Sequence, residues 1–249
     1  MTQALTRRQA IKAGGAAALW AFSGLAPAAI AGSNARNGAA ANVYAGAFGD
    51  GRFLLPALPY AYNSLDPFYE ESAIRLHHDA HHKAYVEGAN AAMEQLRADR
   101  KEGNYDRVYD LSRRMAFHGS GHALHCLFWH SMIQGGGKPT SDFTEAINQS
   151  FGSFDAATKQ FAAVANAIQG SGWAILAYEP VSRDMVILAA EKHQNETIWG
   201  VVPLLACDVW EHAYYSPYQS RRSEWIGNFM KISNWRTASD LYAQITTLA

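Results

Sequence analysis

Asp208-Val-Trp-Glu-His-Ala-Tyr-Tyr215 sets a carboxylate and an imidazole four residues apart among aromatic side chains. Asp208 and His212 are oxygen and nitrogen donors of the kind a first-row transition ion takes, and the surrounding rings exclude bulk water and lower the local dielectric. On its own the stretch also fits a salt-bridged strand end. More imidazole upstream decides between the two. Leu76-His-His-Asp-Ala-His-His-Lys-Ala-Tyr85 lies in a window of helical periodicity, with His77/His81 and His78/His82 each at the four-residue spacing that stacks side chains on one face. In Phe117-His-Gly-Ser-Gly-His-Ala-Leu-His-Cys-Leu-Phe-Trp129, His118, His122 and His125 share nearly one stripe. Cys-Leu-Phe-Trp follows His125, so that ring faces a core, where a polar group must find a partner.

In order along the chain, these elements resemble the iron/manganese superoxide dismutase family, from about Leu55 onward. Leu55-Pro-Ala-Leu-Pro-Tyr-Ala-Tyr-Asn-Ser-Leu-Asp-Pro67 resembles the family's opening, and LHHDAHHKAYV and FHGSGHALHCLFW its first and second helical motifs. FGSFD, QGSGWAIL and DVWEHAYY resemble hallmarks of its C-terminal half, the last being the most specific. The resemblance implies an α+β fold, with a long antiparallel α-hairpin packed on an α/β domain that carries a three-stranded antiparallel sheet. It also implies one iron or manganese ion per subunit, bound by three histidines, one aspartate and a solvent molecule. The matching positions are His77, His125, Asp208 and His212, which leaves His78, His82, His118 and His122 outside the ligand set. The implied substrate is superoxide, dismuted to dioxygen and hydrogen peroxide as the ion cycles between +3 and +2. Three neutral imidazoles and one carboxylate keep such a site positive and attractive to a small anion. Zinc, being redox-silent, is unsuited.

The same resemblance assigns surrounding roles. Tyr85 belongs at the substrate entrance, linked toward the solvent ligand through an amide or imidazole, and Trp129, Trp173 and Trp210 wall the cavity. His81 matches a gateway histidine that pairs across a dimer interface with the tyrosine matched by Tyr215. Glu211 matches the glutamate that reaches the partner's ligand histidine, matched by His212. A homodimer follows, with pairing of dimers into tetramers left open. Arg222 matches a steering arginine at the funnel mouth, and a solvated helix-cap charge is the plain alternative. Members differ in which side chain contacts the solvent ligand. Here the position four residues before His125 is Gly121, so the donor comes from His193 or Gln194. His193, fifteen residues before Asp208, resembles the spacing of histidine-bearing iron and dual-metal members, whereas Gln194 would imply a manganese type. Iron or dual-metal use is therefore favoured. His118 departs from the family's usual asparagine.

Composition frames these readings. The chain has 249 residues, 49% of them hydrophobic, enough for a sizeable core, and a net charge of -1 gives no support to a nucleic-acid partner. Thr6-Arg-Arg-Gln-Ala-Ile-Lys12 precedes a glycine-interrupted apolar stretch and a small-residue cleavage site at Ala29-Ile-Ala31. This resembles a twin-arginine export signal, read by the export machinery, and the run falls short of the ~20 residues a stable membrane anchor needs. Cleavage near Ala31 removes three positive charges, Arg7, Arg8 and Lys12, and takes -1 to -4. A bacterial periplasm is the expected destination, reached after folding and metal insertion. With only Cys126 and Cys207, both a disulfide and two buried free thiols are compatible with that compartment.

The expected organisation is a signal over 1–31, a Gly/Ala/Asn-rich flexible linker over 32–52, an α-hairpin domain over 53–137 and an α/β domain over 138–249. Periodicity predicts helices from about Asp66 to Arg100 and Tyr105 to Ser131, then helices around 141–169. Strands are predicted near Trp173–Tyr178, Met185–Ala190 and Val201–Cys207, followed by helices to the end. Two rivals stand beside a dismutase. A mononuclear iron oxygenase needs a roomy pocket, which the tryptophans argue against. An exported metal-binding protein of the same fold that has lost activity is weakened by the presence of every expected ligand type and of Tyr85.

Overall fold

A computed structural model describes residues 42–248, all within one unit spanning Ala40–Ala249. The predicted signal over 1–31 and the first part of the predicted linker lie outside the described residues. The rest of that linker is not a flexible spacer. Residues 48–49 (β1) and 52–53 (β2) pair antiparallel, and Val43 and Ala47 are buried. Asn90 fixes the ribbon to the body like one more strand, since its Oδ1 accepts from the Phe53 amide at 2.8 Å and its Nδ2 donates to the Phe53 carbonyl at 2.9 Å. Composition suggested a spacer because these contacts are long-range and leave no local pattern.

The first long helix begins at Glu71 rather than Asp66. Proline disfavours helix at the residue before it, and 62–69 are spent on turns that bury Leu65 and Tyr69. The helix runs as α1 (Glu71–Leu76), a π-helical turn over His77–His82, and α2 (Lys83–Glu102). Gly103 ends it in the left-handed region at φ 68°, a conformation cheap only for glycine. Asn104 then accepts from the Asp106 amide, which delays α3 to Val108–His130. Arg107 clamps the turn on the buried Asp99 carboxylate at 2.7 Å. The facing pairs His77/His125, His82/His122, Tyr85/Gly121 and Gly88/His118 run in opposite sequence directions. The two helices are therefore antiparallel, as expected.

Beyond the Gly135–Pro139 break, the helices predicted around 141–169 are α4 (Ser141–Phe151) and α5 (Phe154–Ala167), parted at Gly152 with φ +82°. Thr140 and Ser153 cap them by accepting from the amides of Phe143 and Ala156. The sheet is antiparallel in the order β4 (Asp184–Glu191), β3 (Gly172–Glu179), β5 (Val202–Asp208), with β3 central and buried almost throughout. The register sets Trp173 of β3 opposite Asp208, the last residue of β5. Helices α6 (Glu211–Tyr218), α7 (Arg222–Ile232) and α8 (Trp235–Leu248) complete the chain. One apolar core joins both halves, with Phe128, Phe161, Trp225 and Phe229 among its fully buried side chains. Among the described residues no helix is long and apolar enough to cross a membrane.

The helix pair is tightest at Gly121, where a Cβ would come within 2.7 Å of the Tyr85 ring. In an open helix, Gly→Ala stabilises by about 1 kcal/mol, whereas overpacking costs about 1–3 kcal/mol. Gly121→Ala should therefore lower the free energy of unfolding by about 1 kcal/mol in urea titration, the difference of those two effects. A stabilised variant would mean that the ring is free to move aside.

Candidate metal centre

Two elements of the hairpin and the end of the sheet converge on one point. His77 comes from the π turn, His125 from α3, Asp208 from the end of β5, and His212 from the first turn of α6. One donor atom from each lies within 4.8 Å of the others. Asp208 Oδ2 stands 3.2 Å from His77 Nε2, 3.4 Å from His212 Nε2 and 3.8 Å from His125 Nε2. His77, His125 and Asp208 have no solvent exposure, and the His212 side chain has 13%.

Three of these groups are held from outside the cluster. His125 Nδ1 donates to the Gly121 carbonyl at 2.6 Å, so neutral His125 presents an unprotonated Nε2. His77 Nδ1 meets the Tyr69 hydroxyl at 2.7 Å, and Asp208 Oδ1 accepts from the Trp210 amide at 2.7 Å. The Nε2 atoms of His77 and His125 face each other at 2.9 Å. Asp208 Oδ2 and His212 Nε2 are buried without hydrogen-bond partners. Asp208 Oδ2 and imidazole nitrogens that converge, with Oδ2 and His212 Nε2 left unpaired, are what a cation holds together. Three imidazoles and one carboxylate suit iron or manganese, and the four residues fit the group. Burial pushes His125 well below the ordinary histidine value and His77 down to about 4. Burial alone would raise Asp208, but the adjacent His212 and His77 imidazoles outweigh that and hold it down at about 2. Asp208 is thus a carboxylate, and His77 and His125 are neutral imidazoles, near neutrality.

His193 lies behind this cluster and is buried at 3% exposure. Trp173 donates its indole N–H to His193 Nδ1 at 2.9 Å. An indole can only donate, so neutral His193 carries its proton on Nε2, which is buried with no protein acceptor. Burial holds this ring neutral, with its pKa lowered to about 3. It stacks on Trp210 at 4.5 Å and takes the Tyr85 ring edge-on at 4.5 Å. Gln194 is on the outer side, half-buried, and accepts from the His193 amide at 3.3 Å. Tyr85 also packs on His125 at 5.0 Å, and burial raises its hydroxyl above the ordinary range. Trp129 and Trp173 close the cluster at 5.0 Å from His77 and 5.1 Å from His125, and Trp210 lies 5.3 Å from His212.

Beyond Phe117, His118 and Trp210, an open cleft is lined by Arg113, Arg114 and Lys192. Arg222, expected at the funnel mouth, is not among its lining residues. Its guanidinium donates to the carbonyls of Ile168 and Gly170 and to the Tyr214 hydroxyl, so its donors are spent on holding the backbone. His81 is half-buried and stacks on His212 at 4.4 Å. Tyr215 is 54% exposed and Glu211 is also exposed, so neither reaches the cluster of its own chain.

The remaining histidines diverge although they share a stripe in sequence. His78 bonds the Pro56 carbonyl and Asp79, His122 bonds His82, and His118 packs against Gly88 and Tyr85. Cys126 and Cys207 are both buried free thiols. Sequence reasoning missed Tyr69, the partner of His77 Nδ1. The signal available was faint, an aromatic two residues before a helix that carries the histidines.

Two family descriptions match the chain: "Iron/manganese superoxide dismutases, alpha-hairpin domain" over 52–133 and "Iron/manganese superoxide dismutases, C-terminal domain" over 139–241. The chain is similar to the "Probable superoxide dismutase [Fe]" of Bacillus subtilis (strain 168), with 42% identity over 195 residues, 78% of this chain and 69% of that one. It is similar to the "Superoxide dismutase [Fe]" of Pyrobaculum aerophilum at 43% over 187 residues, 74% and 89% of the two chains. With the "Superoxide dismutase [Mn/Fe]" of Propionibacterium freudenreichii subsp. shermanii it shares 39% over 186 residues, 74% and 92%.

The site dictates how the metal-stripped protein responds to acid. His77 titrates at 6.5 unfolded and about 4 folded, so between those values the unfolded chain binds more protons and stability rises with pH. That contribution is fully present above 6.5 and is lost as pH falls through 4. Asp208, depressed from 3.8 to about 2, adds a contribution that is lost only below 3.8. The urea midpoint of metal-stripped protein should therefore fall steadily from about pH 7 to pH 4. A flat profile there would mean that the imidazoles are not held neutral.

Proposed function

The chain belongs to the iron/manganese superoxide dismutase family and is a superoxide dismutase, and from that premise we propose that His77, His125, Asp208 and His212 hold one iron or manganese ion that turns over superoxide outside the cytoplasm. The observation that carries the assignment is the buried Asp208 Oδ2, which has no hydrogen-bond partner and three imidazole nitrogens within 3.8 Å. What the bound ion supplies is a one-electron couple between +3 and +2. Two superoxide anions and two protons then give one dioxygen and one hydrogen peroxide.

The protein's own groups handle charge, protons and water. Arg113 and Lys192, beside an Arg114 that is paired with Asp110, leave the cleft net positive and attractive to a small anion. Trp129, Trp173 and Trp210 keep the cavity dry, which strengthens every electrostatic interaction in it. His193, with its proton on Nε2, is the donor that orients a solvent molecule in the cavity, and Tyr85 packs on it from the entrance side. Histidine rather than Gln194 at this point supports iron or dual-metal use. Two of the relatives above carry iron in their names and the third carries either metal.

Tyr215 and Glu211 are exposed beside His81 and His212, which supports a homodimer in which one subunit's Tyr215 and Glu211 meet the partner's His81 and His212. Arg7 and Arg8 ahead of an apolar stretch support export by the twin-arginine route to the periplasm.

His125→Ala removes a ligand and should abolish stoichiometric metal, whereas Tyr85→Phe should retain the metal and slow turnover. Metal content with superoxide consumption, after separate loading with iron and with manganese, measures both. Full turnover by His125→Ala would sink the ligand assignment, and activity with manganese alone would sink the iron or dual-metal reading. For export, replacing Arg7 and Arg8 together by lysine should retain the protein in the cytoplasm on cell fractionation. Undiminished delivery to the periplasm would sink that route.

A further inference from the structure

A second cluster, His82, His122 and Cys126, lies one layer outside the metal centre with all three side chains buried. Its donor atoms are close enough to suggest another metal site, yet the hydrogen bonds argue for a different role. Trp129 donates its indole N–H to His82 Nδ1 at 3.0 Å. His82 Nε2 meets His122 Nδ1 at 2.8 Å, and His122 Nε2 meets the Ala47 carbonyl at 3.1 Å. The two ends of this chain have no choice of direction, because an indole N–H only donates and a carbonyl only accepts. Neutral His82 therefore carries its proton on Nε2 and gives it to His122 Nδ1, and His122 likewise carries its proton on Nε2. Every nitrogen is used once. No imidazole lone pair is left for an ion, and neither end can pass a proton on.

We propose that this chain is a brace by which the ribbon preceding the family-matched domain positions Trp129 at the metal centre, with His122 as a positioning residue. Ala47 belongs to residues 42–51, which precede the matched segment beginning at 52. Phe53 packs edge-on against His122 at 5.4 Å, and Asn90 fixes Phe53 from α2. At the other end Trp129 lies 5.0 Å from His77, and the His82 ring stacks on His125 at 5.1 Å. The brace thus touches one cavity wall and one ligand imidazole at once. Cys126, itself buried, lies 3.8 Å from His122 Nδ1, and its thiol is near enough to Tyr44 of the same segment to bear on that hydroxyl. The effect on turnover rests on the reading of Trp129 as a wall of the catalytic cavity; the proton positions and the burial of Cys126 do not.

Neutron diffraction from deuterated holoenzyme crystals should show deuterium on Nε2 and none on Nδ1 in both His82 and His122. Deuterium on either Nδ1, or an ion in the cluster, would overturn the brace. Deleting 42–51 from the full chain should make Cys126 react with a thiol reagent, located by peptide mass spectrometry, where the intact protein protects it. His122→Leu should lower turnover per bound ion by on the order of tenfold. His122→Gln keeps an acceptor for His82 and a donor for Ala47, and should recover most of that loss. Protection of Cys126 in the deletion variant, or a glutamine variant as impaired as an impaired leucine variant, would overturn the proposal. If the neutron and thiol results held while turnover in all three variants stayed native, the brace would stand as architecture and the positioning role of His122 would fall.

Discussion

A carboxylate oxygen buried with no hydrogen-bond partner is tolerable in a protein only if something positive meets it, and Asp208 Oδ2 imposes that condition on everything around it. The rest of the fold serves to keep the group still. Asp208 ends β5 in register with Trp173, its carbonyl accepts from Trp225 Nε1 at 2.8 Å, and its Oδ1 accepts from the amide that opens α6. Carboxylate orientation is therefore fixed by backbone and indole donors that are themselves part of the core. The helical hairpin has then only to deliver two imidazoles to a point that the sheet has already set.

Tryptophan has a particular use here, because an indole N–H donates and never accepts. Trp129 dictates the tautomer of His82, Trp173 that of His193, and Trp225 anchors the Asp208 backbone. Trp210 donates to the Lys192 carbonyl at 3.0 Å and so ties the loop that carries His193 to the start of α6. Each ring fills core volume at one edge and fixes a proton position at the other. The question whether these residues are packing or site has a single answer, since the same burial that makes them core makes their hydrogen bonds directional.

Much of this was legible in sequence because its signals are local. His77, His125, Asp208 and His212 stand in motifs whose spacing survives folding, and the three strands and the turn glycines lie close to where their patterns put them. What was not legible depends on contacts distant in sequence. Residues 42–52 read as spacer because the partners that hold the ribbon, Asn90 and His122, are remote. Tyr69 looked like an ordinary aromatic because its role appears only when the π turn rotates His77 toward it. The stripe of His118, His122 and His125 suggested one surface, yet the three rings face a cleft, a neighbouring imidazole and the ligand cluster. Arg222 was expected at a mouth on the strength of its match to a family motif, while its geometry spends its donors on the carbonyls of Ile168 and Gly170.

Gly121 and His193 are best understood as one feature. A Cβ at 121 would approach the Tyr85 ring to 2.7 Å, so a longer side chain there would have to displace the tyrosine from its place against α3. With Tyr85 packed down on that glycine, the helical hairpin has no room to supply a hydrogen-bond donor to the cavity. The donor has to come from the opposite side, and the loop after β4 brings His193 in with its Nδ1 already satisfied by Trp173 and its Nε2 proton free. With His193 as the proposed donor, small and large residues at two remote positions set which face of the cavity provides the proton. Changing one without the other would leave either a steric conflict at Tyr85 or a cavity without a donor.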